Sequence, residues 1–214
     1  MKRASRLPSI AFVGLAGLFF AGCLFKPSTV STRHFLLTPI TTNGPSLAAT
    51  QPLSLGIGFV TMPSYLLRNS MAVRNGLNEI EYIDDAQWGE RLDHCFQRTL
   101  AANLSQLLST DRIYLTDWGR DQVDAKVFVA VEQFDMDRQG TGTLIARWRI
   151  ARSGSDLPVK SGRTRLTRTG PAANGKPEVI ASTLSELVGE FSRELAQSLR
   201  DSARGGVGGP AVSE

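Results

Sequence analysis

The sequence predicts an α+β domain: an antiparallel-rich sheet with two long helices packed on one face, in two layers. Three observations predict it. Short segments in which apolar and polar residues alternate recur from His34 to Thr169, and alternation is the period of a strand with one buried face. Two longer segments, following Trp88 and Pro177, instead repeat apolar residues at spacings of three and four, the period of a helix with a single apolar stripe. One-striped helices and one-faced strands each bury their apolar side in a two-layer stack.

In chain order, His34–Ile40 reads as a first strand ended by Pro39, and the polar stretch Thr41–Pro52, containing Asn43, Gly44 and Pro45, reads as a loop. Leu53, Leu55, Ile57 and Phe59 alternate with small residues, which predicts a second strand; Gly56 and Gly58 permit a close neighbour on its other side. Met62–Arg68 is a turn into a short apolar patch. Asn75-Gly76 between the apolar runs Met71–Arg74 and Glu79–Ile83 is a strong hairpin signal. Asp84 and Asp85 then stand where a helix N-cap belongs, ahead of a stripe of Trp88, Leu92, Phe96, Leu100, Leu104 and Leu107 that ends near Ser109 and Thr110. After a short strand at Arg112–Thr116, three consecutive strands are expected at Ala125–Phe134, Thr141–Arg152 and Gly162–Thr169, joined as a meander by turns at Gly140 and Ser153–Asp156. Their outward positions carry Arg147, Arg149, Arg152, Arg163, Arg165 and Arg168. Such a row is either a solvated face or a surface for an acidic partner or phospholipid headgroups, and the sequence leaves both open. Pro177 at the first helical position and Glu178 in the first turn start the second helix, whose stripe is Ile180, Leu184, Leu187, Phe191, Leu195 and Leu199. Arg200 and Arg204 complement its negative end, and Gly205 terminates it.

The N-terminus has its own logic. Lys2, Arg3 and Arg6 precede the apolar run Ile10–Gly22, and Ala21 and Gly22 are small residues at a cut: the pattern of a signal peptide, too short to span a bilayer. Cys23 follows directly, so the segment resembles a bacterial lipobox, with cleavage between Gly22 and Cys23 and acylation of Cys23. Two or three acyl chains hold a protein on a membrane where one does not. The expected organisation is therefore a signal peptide over 1–22, an anchor and tether over 23–31, one α+β domain over 32–204 and a disordered tail over 205–214.

Charge and chemistry exclude several classes of function. The chain has 24 Lys and Arg against 20 Asp and Glu, and loss of the three basic residues of the signal leaves 21 against 20. A net charge near +1 is no footprint for nucleic acid. The two histidines, His34 and His94, have no paired-ligand spacing, and His94 and Cys95, adjacent on a helix, point apart. There is no G-x-S-x-G elbow or P-loop, and Gly56-Ile57-Gly58 lacks the third glycine of a dinucleotide fingerprint. The reading is a domain with no catalytic residues, no metal ligands and no cofactor.

The lipobox, the strand at Phe35–Leu37, the segment Met62–Arg68, Val73-Arg74, and Trp88 with Leu92 opening a helix together resemble the PqiC/YmbA type of ABC-transport auxiliary lipoprotein, found with MCE-domain lipid transport systems of Gram-negative bacteria. The resemblance runs over about residues 33 to 200. It implies a non-catalytic subunit, anchored in the outer membrane and facing the periplasm, whose partners are an MCE-domain protein and ABC transporter components, with the lipid membrane held through Cys23. Leu24 fits the outer membrane, since lipoproteins kept in the inner membrane resemble one another in carrying Asp there. Self-association into a homo-oligomer is left open. Tyr65, Leu66, Leu67 and Arg68 are the expected partner-binding residues, the first three apolar where a turn should be exposed; otherwise Tyr65, Arg68, Arg74 and Trp88 build the junction between hairpin and helix. An assembly lipoprotein of a secretion or pilus pore, or a lipoprotein enzyme with an unrecognised site, are the alternatives.

Overall fold

The computed structural model describes residues 31–41, 53–115, 118–119, 122–155, 157–172 and 176–204. The predicted signal peptide over 1–22, the anchor at Cys23 with nearly all of its tether, and the tail over 205–214 lie outside the described residues.

Eight strands form one mixed sheet: β1 (Arg33–Phe35), β2 (Leu55–Ile57), β3 (Ser70–Asn75), β4 (Glu79–Trp88), β5 (Ile113–Tyr114), β6 (Ala125–Asp137), β7 (Thr141–Arg152) and β8 (Pro158–Thr169). A 3-10 turn spans Ser64–Leu67, and two helices, α1 (Leu92–Leu108) and α2 (Pro177–Arg204), complete the fold. The long ladders are antiparallel: β3 with β4, β6 with β7, and β7 with β8, the last three strands being the expected meander. The short ladders are parallel: β1 with β4, β2 with β5, and both β2 and β3 with β6. Strand β6 is the hinge of this arrangement. One of its sides is filled along its length by β7, and the other is divided between β2 near Ala125–Val127 and β3 near Met136 and Asp137.

Local chemistry accounts for the turns. Gly76 closes the β3–β4 hairpin at φ 72°, and Gly140 and Gly154 take positive φ in the two turns of the meander. Ser109 ends α1 in the left-handed conformation, its N–H bonded to the Ser105 carbonyl.

Both helices lie on the same face of the sheet. Val127, Val129, Val131, Phe134 and Met136 of β6 and Leu144, Ala146, Trp148 and Ile150 of β7 are buried there. Phe96 of α1 meets Phe134 edge-on, with ring centres 5.3 Å apart, and tilts against Phe191 of α2 at 6.1 Å. All three rings are fully buried, so truncating Phe96 to alanine would cost about 3–5 kcal/mol. Asn103 ties the two helices to the segment that follows β1: its side-chain amide donates to Ser192 of α2 at 3.0 Å and its side-chain carbonyl accepts the Ile40 N–H at 2.8 Å.

Two expectations are corrected. Asp84 and Asp85 are not an N-cap: β4 runs through both to Trp88, because β3 on one side and β1 on the other bond its backbone. Trp88 is thus a buried strand residue, not the start of the helix stripe. Helix α1 begins at Leu92 without a side-chain cap; the carboxylate near its positive end is Asp93, which accepts the His94 N–H at 3.0 Å. The alternation of the second strand also breaks. Leu55 and Ile57 point inward as expected, but past Gly58 the phase changes, so that Val60 is buried and Phe59 is 70% exposed.

Candidate docking surface

The face of the sheet away from the helices carries the features that a partner could recognise. Glycines let side chains lie close on it: the Trp118 ring covers Gly56, and a Cβ at Gly58 would come within 2.8 Å of the Phe128 ring. On Phe128 rests the guanidinium of Arg149, 3.9 Å from the ring centre, a cation–π contact. Phe59, Phe128, Arg147, Arg149, Pro158 and Arg163 line an open groove of about 670 Å³.

The arginines do not form a single row. Arg147 and Arg163 face each other across β7 and β8, and both hold Glu132, at 2.5 and 2.7 Å. These two guanidiniums, Arg163 foremost, pull the Glu132 carboxyl down to about 2. Arg165 stands two residues on from Arg163 along the same face of β8 and is exposed. Arg168 falls on the other side, paired with Glu186 and Glu190 of α2. Arg152 likewise lines a smaller cleft with Leu199 and Ser202 of α2. Strand alternation divides what the sequence grouped together, since residues an odd number apart point to opposite faces.

The turn at Met62–Arg68 is more buried than the sequence suggests. Leu66 is 3% exposed and belongs to the core, which removes it from any contact surface. Tyr65 is half-buried, and its hydroxyl donates to Asp135 at 2.7 Å. Burial first, and then the Asp135 carboxylate, push the Tyr65 hydroxyl well above its ordinary value. Asp135, itself 1% exposed, also accepts from Arg74 Nε at 3.0 Å, Arg74 Nη2 at 2.6 Å and the Gln133 amide at 2.8 Å. This bidentate bond raises the Arg74 guanidinium further above its already high value. The Tyr82 hydroxyl donates to the Tyr65 carbonyl at 3.1 Å, and Arg68, exposed, lies over the Tyr82 ring at 4.9 Å. Leu67 is half-buried. The structure therefore assembles Tyr65, Arg74 and Asp135 into one knot; the sequence pointed to the first two and missed Asp135, which lies 61 residues beyond Arg74 and has no local signal.

Among the described residues no group of three or more His, Cys, Asp or Glu could hold a metal ion, and no helix is long and apolar enough to cross a membrane. Cys95 is buried beneath Leu37, whose N–H points at its sulfur at 3.2 Å, and burial pushes its thiol up to about 11.

The chain is thus a two-layer α+β domain with a long meander and a helix-free, arginine-bearing face. A family model described as "ABC-type transport auxiliary lipoprotein component" matches residues 35–196, and the chain belongs to that family. Among solved structures it is similar to a Xanthomonas campestris protein of the DUF330 family, at 13% identity and TM-score 0.69, covering 82% of this chain and 99% of the other. It is also similar to an uncharacterized protein at 19% identity and TM-score 0.65, covering 79% and 99%. At these identities the two likenesses bear on the fold. No curated protein sequence matches the chain.

Proposed function

We propose that this chain is a non-catalytic, lipid-anchored periplasmic subunit of an ABC/MCE-type lipid or solvent transport system, docking the envelope-spanning MCE protein at the outer membrane. The observation that carries the reading is the family match over residues 35–196, which takes in α1, most of α2 and nearly the whole sheet. The signal-like segment ending in Ala21-Gly22-Cys23 supports an acyl anchor on Cys23, and Leu24 supports the outer membrane. On this reading the domain contributes surface: Tyr65, Leu67 and Arg68 at the turn, and the helix-free face of the sheet. Two experiments test it. Replacing Cys23 with Ser should abolish palmitate labelling and release the protein into the soluble periplasm; unchanged membrane fractionation overturns the anchor. The native protein should co-purify with an MCE subunit, and its deletion should raise sensitivity to detergent and solvent. If neither happens, the transport role is wrong.

A further inference from the structure

We propose that the outer edge of β8 docks an acidic extended segment of a partner protein, which joins the sheet as a further strand. The inference rests on the transport role above only for the identity of the partner. Among the described residues the sheet has three edges, and two are short: β1 spans three residues and β5 two, lengths that offer little template for another strand. Strand β8 spans twelve residues and, among the described residues, pairs with β7 alone. An edge of that length presents a row of backbone N–H and C=O groups that an extended peptide satisfies by adding a strand.

Charge decides which peptide. On the helix side of β8, Lys160 and Arg168 are matched by Asp201, Glu186 and Glu190 of α2. On the other side the balance is positive: Arg147 and Arg163 share the single carboxylate of Glu132, and Arg165 has no ion-pair partner among the described residues. A second copy of β8 is a poor occupant. Antiparallel self-pairing centred on Thr164 sets Arg163 of each copy against Arg165 of the other, and like charges directly opposite are destabilising. An acidic strand in the same place sets carboxylates about 4.5–5.5 Å from these arginines, measured between Cβ atoms. The groove on this face reaches β8 at Pro158 and Arg163, where it would take a bulky apolar side chain from the same segment. A bilayer surface would meet the arginines but leave the backbone groups of the edge unused.

The test uses the full-length protein and short overlapping peptides covering the periplasmic part of an MCE protein from the same organism, read by fluorescence anisotropy, with the intact MCE protein alongside. Acidic peptides should bind and shift the backbone amide resonances of residues 158–169. Arg163→Glu with Arg165→Glu should weaken them about tenfold or more, and replacing the peptide's acidic residues with Lys should restore binding to that variant. Arg165→Glu alone serves where Arg163→Glu, beside Glu132, disturbs the strand. If the intact MCE protein binds but no peptide does, the edge proposal falls and the transport role stands. If neither binds, both fall. Charge reversal that abolishes binding to phosphatidylglycerol vesicles, with no peptide effect, makes the face a membrane contact and overturns the proposal.

Discussion

Asp135 is the buried carboxylate on which the junction between the turn, the hairpin and β6 depends. Replacing it with Ala removes two bonds from Arg74, one from Tyr65 and one from Gln133. Bonds to charged groups contribute about 1.5–3 kcal/mol each, and removing one partner of a buried pair costs about 3–5 kcal/mol. The Arg74 side chain is 25% exposed and can recover water, which places Asp135→Ala at the lower end, about 3 kcal/mol. Arg74→Met does the opposite, leaving a carboxylate that is 1% exposed with only Tyr65 and Gln133 as donors, so it should cost more, about 4–5 kcal/mol. For a domain of this size each kcal/mol lowers Tm by about 2–4 °C, so the two variants should melt about 6–12 °C and 8–20 °C below the parent. Calorimetry with urea unfolding at pH 7 measures both. The double variant Asp135→Leu with Arg74→Met should cost less than the sum of the singles, since neither charge is left stranded. Additive losses, or an Asp135→Ala cost below about 1 kcal/mol, would refute the reasoning.

Three further outcomes are expected. The Glu132 carboxyl, held at about 2 by Arg163 and Arg147, keeps its ion pairs at and above the ordinary carboxylate range and loses them as pH falls through about 2; a side-chain carbon NMR titration should show this, with Arg163→Gln raising the midpoint more than Arg147→Gln. A midpoint near 4.5 in the parent protein counts against the bridge. Cys95, buried and with its thiol up at about 11, should react with iodoacetamide at pH 8 on the order of a hundredfold more slowly in the native than in the unfolded chain, and comparable rates would mean that the site opens. Gly162→Ala places a Cβ 2.6 Å from the Trp148 ring, which must tilt away from Thr164, the acceptor of its Nε1–H at 3.0 Å. The cost should be about 1–3 kcal/mol with a shift in tryptophan fluorescence, and an unchanged spectrum and Tm would show that the ring has room.

Elements specified by nearby residues were legible in the sequence. The stripe of α2, the meander and its glycine turns, and the Asn75-Gly76 hairpin all appear as expected, because each depends on period or turn chemistry within a few residues. The N-terminus of α1 was not legible. The acidic pair Asp84 and Asp85 imitates a cap, while the true start at Leu92 has no capping side chain, and the strand is carried on to Trp88 by pairing of Ala86–Trp88 with β1, some fifty residues earlier. The parallel ladders have no local signature, since nothing near Leu55 says that it will lie beside Ala125. The same holds at the surface. Arg147 and Arg163 could be placed on outward positions by alternation, but their shared Glu132 is itself the residue of the bulge between Val131 and Gln133, where the count shifts.

The divided flank of β6 bears on the order in which this domain assembles. Strands β2 and β3 are made early in the chain, yet the neighbour that fixes both is synthesised some sixty to seventy residues later. Until β6 emerges, the β3–β4 hairpin has only the three-residue β1 beside it, and a hairpin with so little support is marginal in water. The meander, by contrast, closes over short turns, and loop closure over short separations is the cheaper step. The expected order of folding therefore runs from the C-terminal meander back to the N-terminal strands, and pulse-labelled hydrogen exchange that protects β3 and β4 before β6–β8 would overturn it. Strands β2 and β3 meanwhile wait for their neighbour, and unpaired strand edges of that kind are where aggregation starts.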